Sequence, residues 1–308
     1  MSDAIVISGL TKVYKETRAL DGIDLAVPEG SVYGFLGPNG AGKTTTLRIL
    51  TGLAAPTSGT ATVFGRDVVT ATNEVRADIG FLPDVPGFYP WMTAEEFLRF
   101  SGRLFGIDSG VLEERVAALL DLAGLTGVAT RIGGFSRGMK QRLGVAQALI
   151  NAPKLLMLDE PTSALDPIGR KEVLEMIASL AGRTTVFFST HILSDVERVC
   201  DTVAILHKGR VVTQAPIEEL KERYGAQKIV LEVTERADEI AAALGAAEWV
   251  ASIERSANGA IVLTVSDIAP ARTAIPALVV ERGIGLKRMD AGEISLEEVF
   301  VDLVGGEA

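Results

Sequence analysis

The stretch GFLGPNGAGKTTTLRIL, Gly34–Leu50, constrains what this chain can fold into more than any other. Residues Gly37 to Thr44 keep the spacing Gly-x4-Gly-Lys-Thr, with the apolar run SVYGFLG before them. After them, Leu47, Leu50 and Leu53 recur at helical spacing. Glycines let backbone N–H groups converge on one anion with no Cβ atoms in the way. The following helix aims its positive end at the same spot. Gly37, Pro38, Asn39, Gly40, Ala41, Gly42, Lys43 and Thr44, with Thr45 behind them, are therefore expected to cradle a nucleotide's phosphates. Lys43 is expected at the β/γ-phosphates and the Thr44 hydroxyl on Mg²⁺. A glycine-rich turn with a chance Lys-Thr is the plain alternative, and the strand–loop–helix context weighs against it.

Phosphoryl transfer to water also needs carboxylates for the metal and the nucleophile. LLMLDE, Leu155–Glu160, ends an apolar strand on Asp159, from where a carboxylate can approach Mg²⁺. Glu160 is the candidate base that orients and activates water. Alone, an Asp-Glu after a strand reads as a strand-ending turn; with the phosphate loop it points to a nucleoside triphosphatase.

The chain of 308 residues exceeds one average domain, and a 47% apolar fraction suffices for a real core. Net charge is -10, which disfavours free nucleic acid as a partner. Cys200 is the single cysteine, so no intramolecular disulfide is possible, and a buried structural thiol is expected. The opening MSDAIVISGL has no basic region followed by an apolar stretch, so no secretory signal is expected. No apolar run reaches bilayer length, and any membrane contact is expected to come through another protein.

Short strands AIVISGL, IDLAV and SVYGFLG come first, and from about Leu82 to Ile150 the pattern turns helical. Thr93 with Glu96 forms a capping-box pattern. Strands KLLMLDE and TTVFFST then alternate with helices, and their unbroken apolar runs suit a parallel sheet buried on both faces. TVAILHKGRVVTQ reads as a hairpin about Lys208-Gly209, with His207 solvated in the turn. A boundary is expected near Gly225, dividing the chain into 1–224 and 225–308. The order βαββαβ beyond it fits a small ferredoxin-like domain, with a hairpin signal at Asn258-Gly259.

FSRGMKQRL, Phe135–Leu143, stands shortly before LLMLDEPTSALD, Leu155–Asp166, and this succession resembles the ATP-binding subunit of ABC transporters. The resemblance covers about Ala4 to Arg223. It implies an α/β P-loop ABC-type ATPase core with an antiparallel β subdomain, a mostly parallel core sheet and a helical subdomain at about 82–150. The ferredoxin-like α+β domain is additional.

The signature Leu-Ser-Gly-Gly-Gln falls on Phe135, Ser136, Arg137, Gly138 and Met139, and the family sets these against the γ-phosphate held by the other subunit. Ser136, the Gly138 amide and the helix dipole together make an anion receptor. SALD, Ser163–Asp166, resembles the loop that contacts the second copy. His191 matches the switch histidine at the γ-phosphate, its rival being a satisfied core histidine. Tyr14 stands where the family stacks an aromatic on adenine, its rival being cover for a sheet edge. Asp84 stands where the family usually carries Gln, and it offers the ion a carboxylate. Arg137 replaces the first signature glycine and adds a positive group near the trans phosphates.

GMKQRL and the ending SLEEVFVDL resemble the branch exporting drugs, lipids or polysaccharides. Implied are ATP and Mg²⁺ as ligands, a second copy of the chain, and a separately encoded transmembrane permease. The implied location is cytoplasmic and peripheral, on the inner face of the cell membrane. Two rivals stay open: a soluble ABC ATPase of translation or repair, and a non-catalytic nucleotide sensor. The aromatics Phe88, Tyr89 and Trp91 read either as core of the helical region or as a partner groove. Arg137, Lys140 and Arg142 form a small basic cluster, for which RNA binding is the less favoured reading.

Overall fold

The computed structural model describes residues 2–224, 227–256, 259–292 and 296–305. The chain divides into two compact units, Met1–Ile217 and Glu218–Ala308. The boundary expected at Gly225 and the Asn258 half of the expected hairpin turn lie outside the described residues.

In the first unit a six-stranded sheet runs in the order Arg210–Pro216, Thr202–His207, Val32–Leu36, Thr185–Thr190, Leu155–Asp159, Ile79–Leu82. All neighbours pair in parallel except the first two, which form an antiparallel hairpin. Its turn has Lys208 at φ +45 and Gly209 at φ +78, the double positive φ that suits a twisted two-residue hairpin. VYGFL, LLMLD and TVFFST are buried along their whole length, as their continuous apolar runs require of a sheet covered on both faces. Phe187 anchors this layer, with its ring centroid 5.7 Å from Tyr33 and 5.3 Å from Phe35.

A second, antiparallel sheet has the order Thr17–Pro28, Asp3–Tyr14, Ser58–Val63, Arg66–Asp67. One apolar cluster joins the two sheets. It takes Ile5, Ile7, Leu20 and Val63 from the second sheet, Leu47 and Leu50 from helix Lys43–Leu50, and Met157 and Phe187 from the first. The helix leaving the phosphate loop is thereby locked in place by packing on both sides. Helices Ala94–Leu104, Ser109–Leu122 and Arg137–Ala148 make up the helical region. Thr93 and Glu96 form the expected capping box: Glu96 N–H donates to Thr93 Oγ1 at 3.2 Å, and Thr93 N–H to Glu96 Oε2 at 2.8 Å.

In the second unit four antiparallel strands run Val250–Arg255, Ile261–Val265, Gln227–Val233, Leu286–Gly292. Ile229, Leu231, Ile261, Leu263 and Val265 alternate onto one face and pack with Ile240, Leu244, Ile275 and Val279 of helices Ala237–Leu244 and Ile268–Glu281. This is the ferredoxin-like arrangement. Among the described residues no helix is long and apolar enough to cross a membrane.

Two expectations are corrected. His207 does not sit in the turn; it is the last residue of strand Thr202–His207, opposite Arg210, and its Nδ1 is buried without a hydrogen bond. Arg142 belongs to no surface basic cluster. Its guanidinium donates to the Ala123 carbonyl at 2.7 Å and pairs with Glu172 at 3.5 Å, and its side chain is only 15% exposed.

Candidate active site

Strand Val32–Leu36 delivers Gly37, whose N–H donates to the Thr190 carbonyl of the neighbouring strand at 3.2 Å. The loop then turns through Gly40 at φ +81 and Gly42 at φ +115 into helix Lys43–Leu50. Gly42 caps this helix without a side-chain hydrogen bond, so its first-turn N–H groups have no capping oxygen. The tightness of the loop is built in. A Cβ on Gly37 would lie 2.3 Å from the Leu206 carbonyl oxygen, and one on Gly42 would lie 2.6 Å from that of Ala19. Uncapped amides, a positive dipole end and close backbone together form an anion receptor.

Lys43 is 5% exposed, and its Nζ donates to the carbonyls of Gly37 at 2.6 Å and Pro38 at 3.2 Å. It also lies 3.1 Å from Glu160 Oε1, close enough for an ion pair but off the hydrogen-bond axis, so that oxygen is buried without a hydrogen bond. The other oxygen, Glu160 Oε2, is 2.8 Å from His191 Nδ1. His191 is exposed, which removes its reading as a core histidine. Glu160 adopts φ +48, a conformation that costs a non-glycine residue about 1–2 kcal/mol. Its N–H donates to the Ser189 carbonyl at 3.0 Å.

Asp159, 2% exposed, ends its strand beside the loop. Its Oδ1 accepts from Ser189 Oγ at 2.6 Å and from Thr44 Oγ1 at 3.3 Å. Burial pushes its carboxyl above the ordinary 3.8; the two hydroxyls pull it down, and the charges of Glu160 and Asp84 push it up. Asp84 is exposed and follows Leu82, which pairs with Leu158 next to Asp159. Among the described residues no group of three His, Cys, Asp or Glu side chains forms a metal cage. The donor set is instead one buried carboxylate and one hydroxyl beside a phosphate-binding loop. That suits Mg²⁺, which binds through one or two carboxylates and fills the remaining positions with phosphate oxygens and water.

Tyr14 ends strand Asp3–Tyr14; the residue is 42% exposed, and the Lys12 ammonium lies 4.8 Å from its ring centroid. The strand returning from that hairpin carries Ala19 and Leu20 against Gly42. Ser136, Arg137, Gly138 and Asp166 gather elsewhere. Ser136 caps helix Arg137–Ala148 by accepting from Met139 N–H at 3.1 Å, and Asp166 caps helix Pro167–Ala178 by accepting from Gly169 N–H at 3.0 Å. The two helix starts touch where a Cβ on Gly138 would lie 3.5 Å from Gly169 Cα. Among the described residues no hydrogen bond or ion pair joins this cluster to the phosphate loop. Arg137 is exposed.

Ser189 escaped the sequence reading although it holds both Asp159 and the Glu160 backbone. The available signal was a small hydroxyl residue ending an otherwise apolar buried strand. Cys200 is half-buried overall, and burial of its thiol pushes the pKa well above 9.0, which suits a structural residue. Phe88 packs edge-on against Phe97 at 5.2 Å, whereas Tyr89 and Trp91 are 40% and 59% exposed.

Residues 20–163 match the ABC transporter family, and residues 216–304 match the C-terminal domain of ATP-binding proteins described as DrrA1-3-like. The chain is 38% identical to the bacitracin transport ATP-binding protein of Bacillus licheniformis, over 99% of each chain. It is 37% identical to the daunorubicin/doxorubicin resistance ATP-binding protein of Streptomyces peucetius, over 99% of this chain and 93% of that one. A dimeric ATP-binding cassette solved in a post-hydrolysis state with ADP and Pi superposes with TM-score 0.62 at 25% identity, over 69% of this chain and 98% of that one. The chain belongs to the ABC transporter ATP-binding proteins, the Mg²⁺-dependent subunits that bind and hydrolyse ATP to power transport.

Proposed function

We propose that two copies of the chain close on two ATP molecules and that hydrolysis reopens them, driving a separately encoded permease that exports an antibiotic-like molecule. The observation that carries this reading is the junction at Glu160, with one carboxylate oxygen at Lys43 and the other at His191. Neighbouring Asp159 meanwhile holds Thr44.

Each residue then has a task. Lys43 exchanges its carbonyl partners Gly37 and Pro38 for β/γ-phosphate oxygens, which the backbone N–H groups of Gly40, Gly42, Lys43, Thr44 and Thr45 also face. Asp159 and Thr44 hold Mg²⁺, which when bound neutralises charge on the phosphates. Asp84 adds a carboxylate near that position. Glu160, freed from Lys43, orients water and accepts its proton, while His191 Nδ1 fixes the carboxylate's direction and its ring faces the γ-phosphate. Tyr14 stacks on adenine. Ser136, Gly138 and the helix start behind them receive the γ-phosphate of the other copy, with Arg137 adding charge and Asp166 lining the junction. Closure is stabilised only while the γ-phosphate bridges the copies.

Export is the reading that the two full-length relatives favour, since one serves bacitracin transport and the other resistance to daunorubicin and doxorubicin. A cleft of about 350 Å³ lined by Leu53, Arg76, Ile79, Phe81 and Phe105 opens on the first unit. Val85 and Trp91, 78% and 59% exposed, add apolar surface in the segment after strand Ile79–Leu82. These suit a permease loop at the inner face of the membrane.

In the test, Glu160→Gln keeps ATP affinity, loses phosphate release and accumulates as an ATP-bound dimer on size exclusion. Turnover at the parental rate would remove Glu160 as the base. Lys43→Ala should abolish nucleotide binding by calorimetry, and an unchanged affinity would remove the phosphate-loop assignment.

A further inference from the structure

Three segments that carry site residues meet at one side chain to which no role has been given. Asp195 lies in the first turn of helix Leu193–Val199, four residues past His191, and is fully buried. Its Oδ2 accepts from Thr162 Oγ1 at 2.5 Å, and its Oδ1 from Arg170 Nε at 2.6 Å. Thr162, 1% exposed, stands two residues past Glu160. Arg170 sits in the first turn of the helix that Asp166 caps, and its N–H donates to the Asp166 carbonyl at 2.9 Å. A second guanidinium nitrogen of Arg170 donates to Ser194 Oγ at 2.7 Å.

Stability alone is a weak reason for such a clamp. Burying a charge costs several kcal/mol per ion, and well-packed apolar groups of similar volume often do as well or better. Geometry supplies a stronger reason. Glu160 and Ala164, two residues to either side of Thr162, both hold positive φ, +48 and +52. Strained conformations of this kind persist only where the surroundings over-determine them. The backbone hydrogen bonds of this loop are local, from Ser163 N–H to Glu160 O and from Leu165 N–H to Thr162 O. Among the described residues, the bond from Thr162 to Asp195 is the side-chain hydrogen bond that fastens Pro161–Leu165 to the rest of the chain. On the other side, Asp195 N–H donates to the Ile192 carbonyl, and Ile192 N–H to Thr190 Oγ1, shaping the turn that presents His191.

We infer that Asp195 is a positioning residue for ATP hydrolysis, tying the loop behind Glu160 to the turn behind His191 while Arg170 holds its carboxylate still. The inference rests on the assignment of Glu160 as the base. Loosening the clamp lets Glu160 drift from His191 and from the water it orients. The phosphate loop is anchored separately, by Gly37 on Thr190 and by the packing of helix Lys43–Leu50. Turnover should therefore fall while ATP affinity holds.

The test compares full-chain Thr162→Val, Thr162→Ser, Asp195→Asn, the Thr162→Val/Asp195→Asn double variant and Glu160→Gln. Phosphate release is followed across a MgATP series, with ATP affinity measured by calorimetry. Thr162→Val and Asp195→Asn should each lower kcat by roughly ten- to a hundredfold, the scale of a small misplacement of a catalytic group. Affinity should stay within about twofold, Thr162→Ser should restore kcat, and the double variant should fall no further than the lower single one, as for residues acting as a unit. A kcat kept within about twofold in Thr162→Val, or a loss that Thr162→Ser fails to restore, overturns the inference. An affinity loss equal to the kcat loss overturns it as well. Should Asp195→Asn fail to fold, the two Thr162 variants decide alone. If Glu160→Gln turns over normally, the base assignment fails instead, whatever the Thr162 variants do.

Discussion

Replacing Gly42 with Ala separates the geometry of the phosphate loop from its charge. Gly42 caps helix Lys43–Leu50 at φ +115, and a Cβ there would lie 2.6 Å from the Ala19 carbonyl oxygen and 2.7 Å from Leu20 Cδ2. Ala19 belongs to strand Thr17–Pro28, which is paired along its length with Asp3–Tyr14 and cannot easily retreat. Gly40 offers an internal comparison, with φ +81 but nothing within 4 Å of its Cβ position. Both substitutions carry left-handed strain of about 1–2 kcal/mol, and Gly42→Ala adds overpacking of about 1–3 kcal/mol. The totals are about 2–5 kcal/mol for Gly42→Ala and about 1–2 kcal/mol for Gly40→Ala. At about 2–4 °C per kcal/mol for a unit of this size, the midpoints fall by about 4–20 °C and about 2–8 °C. Scanning calorimetry of the nucleotide-free chain reads the difference. A loop that relieves the contact by moving carries its amides away from the phosphates. ATP affinity of Gly42→Ala should then fall by more than about tenfold, the scale of one lost amide contact. Equal midpoints and equal affinities in the two variants would refute the claim that the Ala19 carbonyl fixes the loop.

Asp159→Asn tests the buried carboxylate. Because burial raises the Asp159 pKa above 3.8, the folded chain holds this proton to higher pH than the unfolded chain does. Its contribution to stability is thus present in acid and lost as pH rises from about 4 through the raised value. Asp159→Asn, which mimics the neutral form, should melt higher than the parent at pH 7 without nucleotide, yet lose the added stability that MgATP confers; paired melts with and without MgATP check both. Thr93→Ala removes the capping box at helix Ala94–Leu104 and should cost about 1 kcal/mol, or about 2–4 °C in thermal melts, with ATP affinity unchanged. Deleting the residues after Gly225 should weaken self-association, because ferredoxin-like sheets often pair; sedimentation of the ATP-bound Glu160→Gln background gives the dimerisation constant, and an unchanged value would count against that role.

The parts legible in the sequence were those where chemistry leaves few choices. A loop whose amides must converge on phosphate fixes its glycine spacing, so Gly37–Thr44 could be read directly, as could the unbroken apolar strands Leu155–Asp159 and Thr185–Thr190. Strand Ser58–Val63 and helix Thr72–Asp78 were not read. SGTATV is mostly small and polar, and it becomes a strand by pairing with Asp3–Tyr14 far earlier in the chain, as in Ile5 opposite Val63. The helix is about two turns long and is held by Val75 in the core. Asp195 stands in SDVE, which reads as a solvated acidic helix face. Its burial depends on Arg170 and Thr162, 25 and 33 positions upstream, and no local pattern carries that.

The site residues that sequence spacing could locate but not join are joined by the last two residues of strand Thr185–Thr190. This strand lies between the one that feeds the phosphate loop and the one that ends in Asp159. Ser189 holds the Asp159 carboxylate through Oγ and the Glu160 N–H through its carbonyl. Thr190 holds the Gly37 N–H through its carbonyl and the Ile192 N–H through Oγ1, on either side of His191. The Gly37–Thr44 loop, the Asp159 carboxylate, Glu160 and His191 are thus registered against one strand end, at the carboxyl edge of the sheet where open α/β folds bind ligands. A slip of one residue in that strand would turn Ser189 to the opposite face and break the Asp159 contact. What prevents the slip is remote from the chemistry. Phe187 faces the core between Tyr33 and Phe35, and the strand's other residues are buried on both sides. The apolar core therefore sets the geometry of the candidate site through strand register, which is why a hydrogen-bonded serine ends a run of valine and phenylalanine.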